Sequence, residues 1–258
     1  MNAQSSYLAW AVRTLAFSLV FSSPLSILRA EFREFTGTTG QTMTAQLVSV
    51  SGDQVTLKRE NGTTVTTKTT VFSKADQEYI ENWHEDRQKS FVPRLSFEVN
   101  SGKSNREADD LGGDYWRQTF EFVVSITNDE RNFDIENGKG SLIVIGKHVA
   151  ESDNLEVINR QDFDLNIPAG QTLTFRAKEF ESTYIDIDYA RSGHKYNGYI
   201  LIVQNPDGKV IGSESAPDTY ARFAANALKL KTGDPCDRML NNPEATKNDG
   251  GGATVTVE

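Results

Sequence analysis

The sequence is poor in the residues that most often carry chemistry: it holds one cysteine, Cys236, and three histidines, His84, His148 and His194. One thiol builds no internal disulfide framework, so cohesion must come from buried apolar side chains. Cys236, in TGDPCDRML, is expected to be an unpaired thiol in a tail, with pairing to another chain as the alternative. The histidines fall in separate segments at spacings unsuited to zinc, and there is no His-Glu-x-x-His, no paired Cys and no Gly-x-Ser-x-Gly elbow. Metal-dependent hydrolysis and a serine triad therefore lose their usual signatures. The chain is read as non-enzymatic and without a cofactor. His84, in NWHEDR, reads as an exposed helical residue, and His194, in ARSGHKYNGY, as part of a hairpin turn.

Positive charge is also scarce. The 258 residues carry 27 Lys and Arg against 36 Asp and Glu, a net charge of −9. Phosphate binding depends on a basic stripe that releases counterions, and none is present, so nucleic acid is not an expected partner. Residues 1–30 reverse the balance: they contain Arg13 and Arg29, no acid, and the apolar run LAFSLVFSSPLSIL from Leu15 to Leu28. That run is short and broken by Ser and Pro24, the pattern of a signal peptide and not of a membrane span. An uncleaved anchor or a buried N-terminal helix is the alternative. Removal of residues 1–30 takes away two cations and no anion, leaving the mature chain near −11. The expected localisation is secreted, periplasmic or cell-envelope, with no membrane span in the mature chain.

Long apolar runs are absent beyond residue 30, and what replaces them first is alternation. TMTAQLVSV places Met43, Ala45 and Leu47 on one face, DQVTLKRE adds Val55 and Leu57, and GTTVTTKTTVF adds Val65. Gly52 and Asn61-Gly62 supply the positive-φ positions of tight hairpins. Such a short meander hides its edges best by closing into a small SH3-like barrel. Ser73 and Asp76 resemble a capping box, followed by Ala75, Tyr79 and Trp83 at every fourth position with Ile80 beside them, a stripe expected to pack a helix on the barrel. HEDRQKSFVPR then reads as a charged linker ending the unit.

Arg33, Phe35-Thr36, Gly40, Ala45-x-Leu47, Gly52-x-x-Val55-x-Leu57-x-Arg59, Asn61-Gly62 and Phe72-Ser73-x-x-Asp76-x-x-Tyr79-Ile80 together resemble the SLA1 homology domain 1 family, including its relatives in exported bacterial proteins. The resemblance covers Glu31 to about Trp83 and implies a non-catalytic recognition fold. In eukaryotic members that fold binds Asn-Pro-Phe-x-Asp peptides; only the fold, and not that ligand, is carried over here.

Further along, RLSFEVN, YWRQTFEFVVSIT, SLIVIGKHV, LEVINRQDFDLNI, QTLTFRAKEF, YIDIDYA and YNGYILIVQN read as successive strands without helical periodicity. They predict an immunoglobulin-like β-sandwich. APDTYARFAANALKLK predicts a helix docked on it through Tyr220, Phe223, Ala224, Ala227 and Leu228. The expected organisation is thus mainly β: residues 1–30 signal peptide, 31–88 barrel with closing helix, 94–231 sandwich with C-terminal helix, and 232–258 a flexible tail.

Candidate binding residues follow from this layout. Lys58 and Arg59, beside the Asn61-Gly62 turn, are placed to meet an acidic ligand residue. Asp162 with Asp164, and Asp186 with Asp188, share a strand face by parity and could hold Ca²⁺, act as a glycosidase acid and base, or simply face solvent. Asp186 and Asp188 are the metal candidates. In GGDYWRQTFEF, Trp116 shares parity with Phe120 and Phe122 and is expected in the core, leaving Tyr115 as the ring that could stack on a sugar. The expected function is recognition of a peptide or protein segment by the barrel, the sandwich being scaffold or second binding surface. Carbohydrate or cell-surface binding through the sandwich is the alternative.

Overall fold

The structure is a computed structural model that describes residues 31–107, 115–151 and 153–243. The expected signal peptide and residues 244–258 lie outside the described residues. Among the described residues no helix is long and apolar enough to cross a membrane.

Strands β1 (Arg33–Thr36), β2 (Thr42–Ser51), β3 (Gln54–Arg59) and β4 (Thr64–Lys68) form an antiparallel meander in chain order. Its turns sit where the sequence marks them, with Gly52 at φ 55° and Gly62 at φ 84°. A side chain at either would be forced into the left-handed region. Alternation buries Phe35, Ala45, Leu47, Val55 and Leu57 on one face. The ends of the meander are joined by a single bridge between Gly37 and Phe72.

A 3₁₀ turn at Thr69–Val71 leads into α1 (Lys74–Ser90). The helix is the expected one, but its buried side is rotated: Ala75 is exposed, whereas Asp76, Ile80, Trp83 and Gln88 are buried. Asp76, 3% exposed, is the polar centre of the unit. Its Oδ1 accepts from Arg33 Nη2 at 2.7 Å, and its Oδ2 accepts from the Thr36 amide at 2.8 Å and the Ser73 hydroxyl at 2.9 Å. The Arg33 guanidinium lies 3.8 Å from the centroid of the Tyr79 ring. A buried carboxylate is tolerated because every side of it meets a donor. The HEDRQ stretch, expected to be linker, forms the last turns of α1.

The second unit contains β5 (Leu95–Glu107), β6 (Tyr115–Asn128), β7 (Ile135–His148), β8 (Leu155–Ile167), β9 (Thr172–Arg176), β10 (Phe180–Ile187), β11 (Ala190–Gln204), β12 (Val210–Ala216) and β13 (Pro235–Cys236). The order is β13-β8-β7-β11-β10-β6-β5, with β12 also beside β11 and β9 beside β6, all antiparallel. The first residues of β11 pair with β10, and its remainder pairs with β7 and β12. One strand thus connects two parts of the sheet, whose inner faces share a core including Phe120, Phe122, Val124, Leu142, Val144, Leu165 and Leu201.

The central strands β7 and β11 are buried on both faces, Leu142–Ile145 and Ile200–Val203 without interruption. A doubly buried strand reads as a continuous apolar run, which is how LIVI and ILIV appear. Their second face is covered by the C-terminal segment. Here two expectations are corrected. The predicted helix is mostly 3₁₀ (Asp218–Phe223) with a short α2 (Ala224–Ala227), because Ser215 Oγ draws in the Ala221 amide at 2.9 Å and donates to Pro217 O. The tail expected from Thr232 is instead packed as far as residue 240: Leu230, Cys236 and Leu240 fill the same cluster as Tyr220 and Ala227. Polar Gly, Asp and Asn there form turns that aim three apolar anchors at the sheet, which a compositional reading misses.

Cys236 is therefore a core residue, and its burial leaves no accessible thiol for pairing with another chain. Burial, assisted by Asp237, Glu156 and Asp234, pushes the thiol up to about 12. Thiol reagents at neutral pH are expected to modify Cys236 only under denaturing conditions, which a timed labelling assay read by mass spectrometry checks. Asp76→Ala should lower stability by about 3 kcal/mol, since it strands Arg33 and leaves two half-buried donors, the Thr36 amide and the Ser73 hydroxyl, without their acceptor. Urea melts of the two proteins measure this difference.

A candidate cleft where the helix meets both β units

The helix α1 lies between the two β units and forms one wall of a cleft of about 330 Å³. Gln77, Ile80, Glu81 and His84 face it from the helix, at the spacing that puts side chains on one stripe. Val50 and Gly52 contribute from the end of β2 and its turn, Thr69 from the 3₁₀ turn, and Glu136 from β7.

Each polar group in the cleft is held differently. Gln77 Nε2 donates to Phe72 O at 2.7 Å, which fixes the amide against the strand-to-helix junction. His84 Nε2 lies 3.0 Å from Glu136 Oε2, bridging the two units. Glu81 makes no ion pair among the described residues. The walls are kept in register by contacts lower on the helix. Gln88 Nε2 donates to Asp134 O at 2.7 Å while its Oε1 accepts from the Glu136 amide at 3.3 Å, so one side chain satisfies a strand edge. Asn205 Nδ2 donates to Lys89 O at 2.7 Å. The Arg87 guanidinium packs 5.2 Å from the Trp83 ring centroid, 4.9 Å from Phe91 and 5.6 Å from Phe133, and burial lowers its pKa. The cleft is a fixed, mainly polar recess with carboxylates on opposite walls.

The residues singled out from sequence are scattered. Arg59 lines a separate shallow groove with Thr42, Met43, Thr44, Glu60 and Asn61, its Nε 3.1 Å from Met43 Sδ. Lys58 is exposed like Arg59, but as its neighbour on β3 it points to the other face, so the two do not converge. Tyr115 and Trp116 are both half-buried. Among the described residues the most exposed aromatic ring is Tyr189, 85% exposed in the β10–β11 turn, which nothing in the alternating pattern marks.

The proposed metal pair is not assembled. Asp186 is engaged by Lys195 and by Arg191 at 3.2 Å, and the Lys195 hydrogen bond holds its carboxyl below the usual range. Asp188 sits in the exposed turn beyond the strand. Asp162 and Asp164 do face outward, each against a cation, Arg160 at 3.0 Å and Lys139 at 2.5 Å. Among the described residues no group of His, Cys, Asp and Glu is arranged to hold a metal ion.

The histidines differ from expectation too. His84 is partly buried in the cleft. His194 lies within β11, opposite His148 of β7, with the ring centroids 5.2 Å apart. The His148 Nδ1 accepts from the Glu151 amide at 3.1 Å, and His194 Nδ1 is 3.6 Å from Glu156. Burial lowers the His194 pKa, with His148 adding to the shift and Glu156 opposing it.

No family model matches the chain, and no curated protein matches it. A crystal structure of a protein from Akkermansia muciniphila aligns with a TM-score of 0.23 at 13% identity, covering 49% of this chain and 73% of that one.

Because the folded state disfavours protonated His194, the unfolded chain binds that proton more readily. The resulting destabilisation is absent above the ordinary histidine value of 6.5 and grows as pH falls from there towards the lower folded value. His194→Gln should flatten this part of the stability profile, as measured by thermal melts between mildly alkaline and mildly acidic pH.

Proposed function

We propose that the chain is an exported, non-enzymatic recognition protein whose inter-unit cleft holds a peptide or protein segment. The supporting observation is the pair of carboxylates, Glu81 and Glu136, on opposite walls of a recess of about 330 Å³. Oxygen acceptors arranged around a recess suit a Lys or Arg side chain, with Gln77 and Thr69 available to the backbone of the same segment. On this reading the meander is an SH3-like barrel of the SLA1 homology domain 1 type, and the larger unit an immunoglobulin-like sandwich acting as scaffold.

The motif residues support the family reading through what they do. Arg33, Ser73, Asp76 and Tyr79, four positions of the resemblance, form one interacting set. Export is inferred from the character of residues 1–30. The Arg59 groove remains the place where an acidic ligand residue could be met, separate from the cleft.

Titration of isotope-labelled protein with short lysine-bearing peptides should shift the amides of Gln77, Glu81 and His84 saturably. The double change Glu81→Gln, Glu136→Gln should weaken binding about tenfold without lowering the melting temperature. Shifts centred on Arg59 with Asn-Pro-Phe-x-Asp peptides, or no shifts in α1, would overturn the assignment to this cleft.

A further inference from the structure

A second recess, of about 260 Å³, lies at the far end of the doubly buried strands, between the end of β7 and the C-terminal segment. It is lined by Lys147, Leu155, Asn197, Pro217, Thr219, Tyr220 and Arg238. In a chain of net charge −9, it gathers two cations and no carboxylate into its lining.

The position of Lys147 is costly to the fold. It stands directly across from Lys195 in the β7–β11 ladder, and like charges opposite one another weaken a sheet. Lys195 is compensated by Asp186. Lys147 is half-buried and pairs with no carboxylate among the described residues, so its charge is left facing the recess.

Other donors turn the same way. Asn197 Nδ2 donates to Tyr220 Oη at 2.5 Å, which uses an oxygen lone pair and leaves the phenolic hydrogen to donate. Arg238 contacts Asp153 at 2.5 Å, but both side chains are more than three-quarters exposed, and such a surface pair is readily exchanged. The neighbouring Asp237 is turned into its own loop, accepting from the Met239 and Asn241 amides at 2.8 and 2.9 Å. Leu155, Pro217 and the Tyr220 ring supply apolar surface.

The wall carrying Pro217 depends on Gly198. This residue has φ 144°, and a Cβ there would lie 2.0 Å from Ala216 O and 2.9 Å from Pro217 Cδ. Only glycine lets that segment close over β11.

From this arrangement we propose that the recess is a binding site for a small organic carboxylate. The carboxylate lies between Lys147 and Arg238 with a hydrogen bond from Tyr220, and a compact apolar body rests on Leu155 and Pro217. The site is distinct from the helix cleft, and its failure would leave the peptide reading untouched.

The test is calorimetric titration of the full chain with benzoate, at constant ionic strength, alongside inorganic phosphate. Saturable benzoate binding is expected, weakened more than about tenfold in Lys147→Met, with Lys147→Arg retaining it. Ligand-free Lys147→Met should melt no lower than the parent, since removal of the charge relieves the contact with Lys195. A benzoate affinity unchanged by Lys147→Met would overturn the proposal. So would phosphate binding in its place, or a clear loss of stability in ligand-free Lys147→Met that marks the lysine as structural.

Discussion

The Asp76 carboxylate fixes where the helix α1 sits, and most of what is distinctive about the molecule follows from that. It joins the first strand through Arg33 and Thr36 to the start of the helix through Ser73. With the first turn anchored, Ile80 and Trp83 fall into the meander core, and the opposite end of the helix presents His84, Arg87 and Gln88 to the second unit. A carboxylate without these donors would carry a desolvation cost that its packing does not offset. Burial of an acid here trades some stability for a single helix orientation.

That orientation has a chemical result. Because one helix faces both β units, the stripe Gln77, Ile80, Glu81, His84 lies along the seam between them. Neither unit alone forms the recess: the meander supplies Val50, Gly52 and Thr69, and β7 supplies Glu136. The bidentate contact of Gln88 with the backbone at residues 134 and 136 sets the distance across the seam, while Arg87 layers on Trp83, Phe91 and Phe133 beneath it.

Elements governed by local periodicity were legible in the sequence. The meander follows from alternation and from Gly52 and Gly62, the helix start from Ser73 and Asp76, and the antiparallel character of the second unit from its punctuated strands. The sites were less legible, because they depend on which elements meet. The pattern Ala75, Tyr79, Trp83 implied one helix face, and the buried Asp76 shifted it by about one residue. His84 looked exposed until β7 brought Glu136 to it, and His194 met His148 only through pairing of strands far apart in sequence. The acid pairs show the limit of parity: Asp186 and Asp188 alternate correctly, yet the strand ends between them.

The covering of β7 and β11 by residues 217–240 also bears on how the chain acquires its structure. Without residues 217–240, Ile143, Ile145, Ile200 and Ile202 would form a bare apolar strip on an otherwise paired sheet. Residues 217–240 therefore act as an intramolecular cover for that face of the sheet. A nascent chain that has emerged only as far as β12 has all its long strands but an adhesive outer face, which is protected from self-association only once residues 217–240 follow.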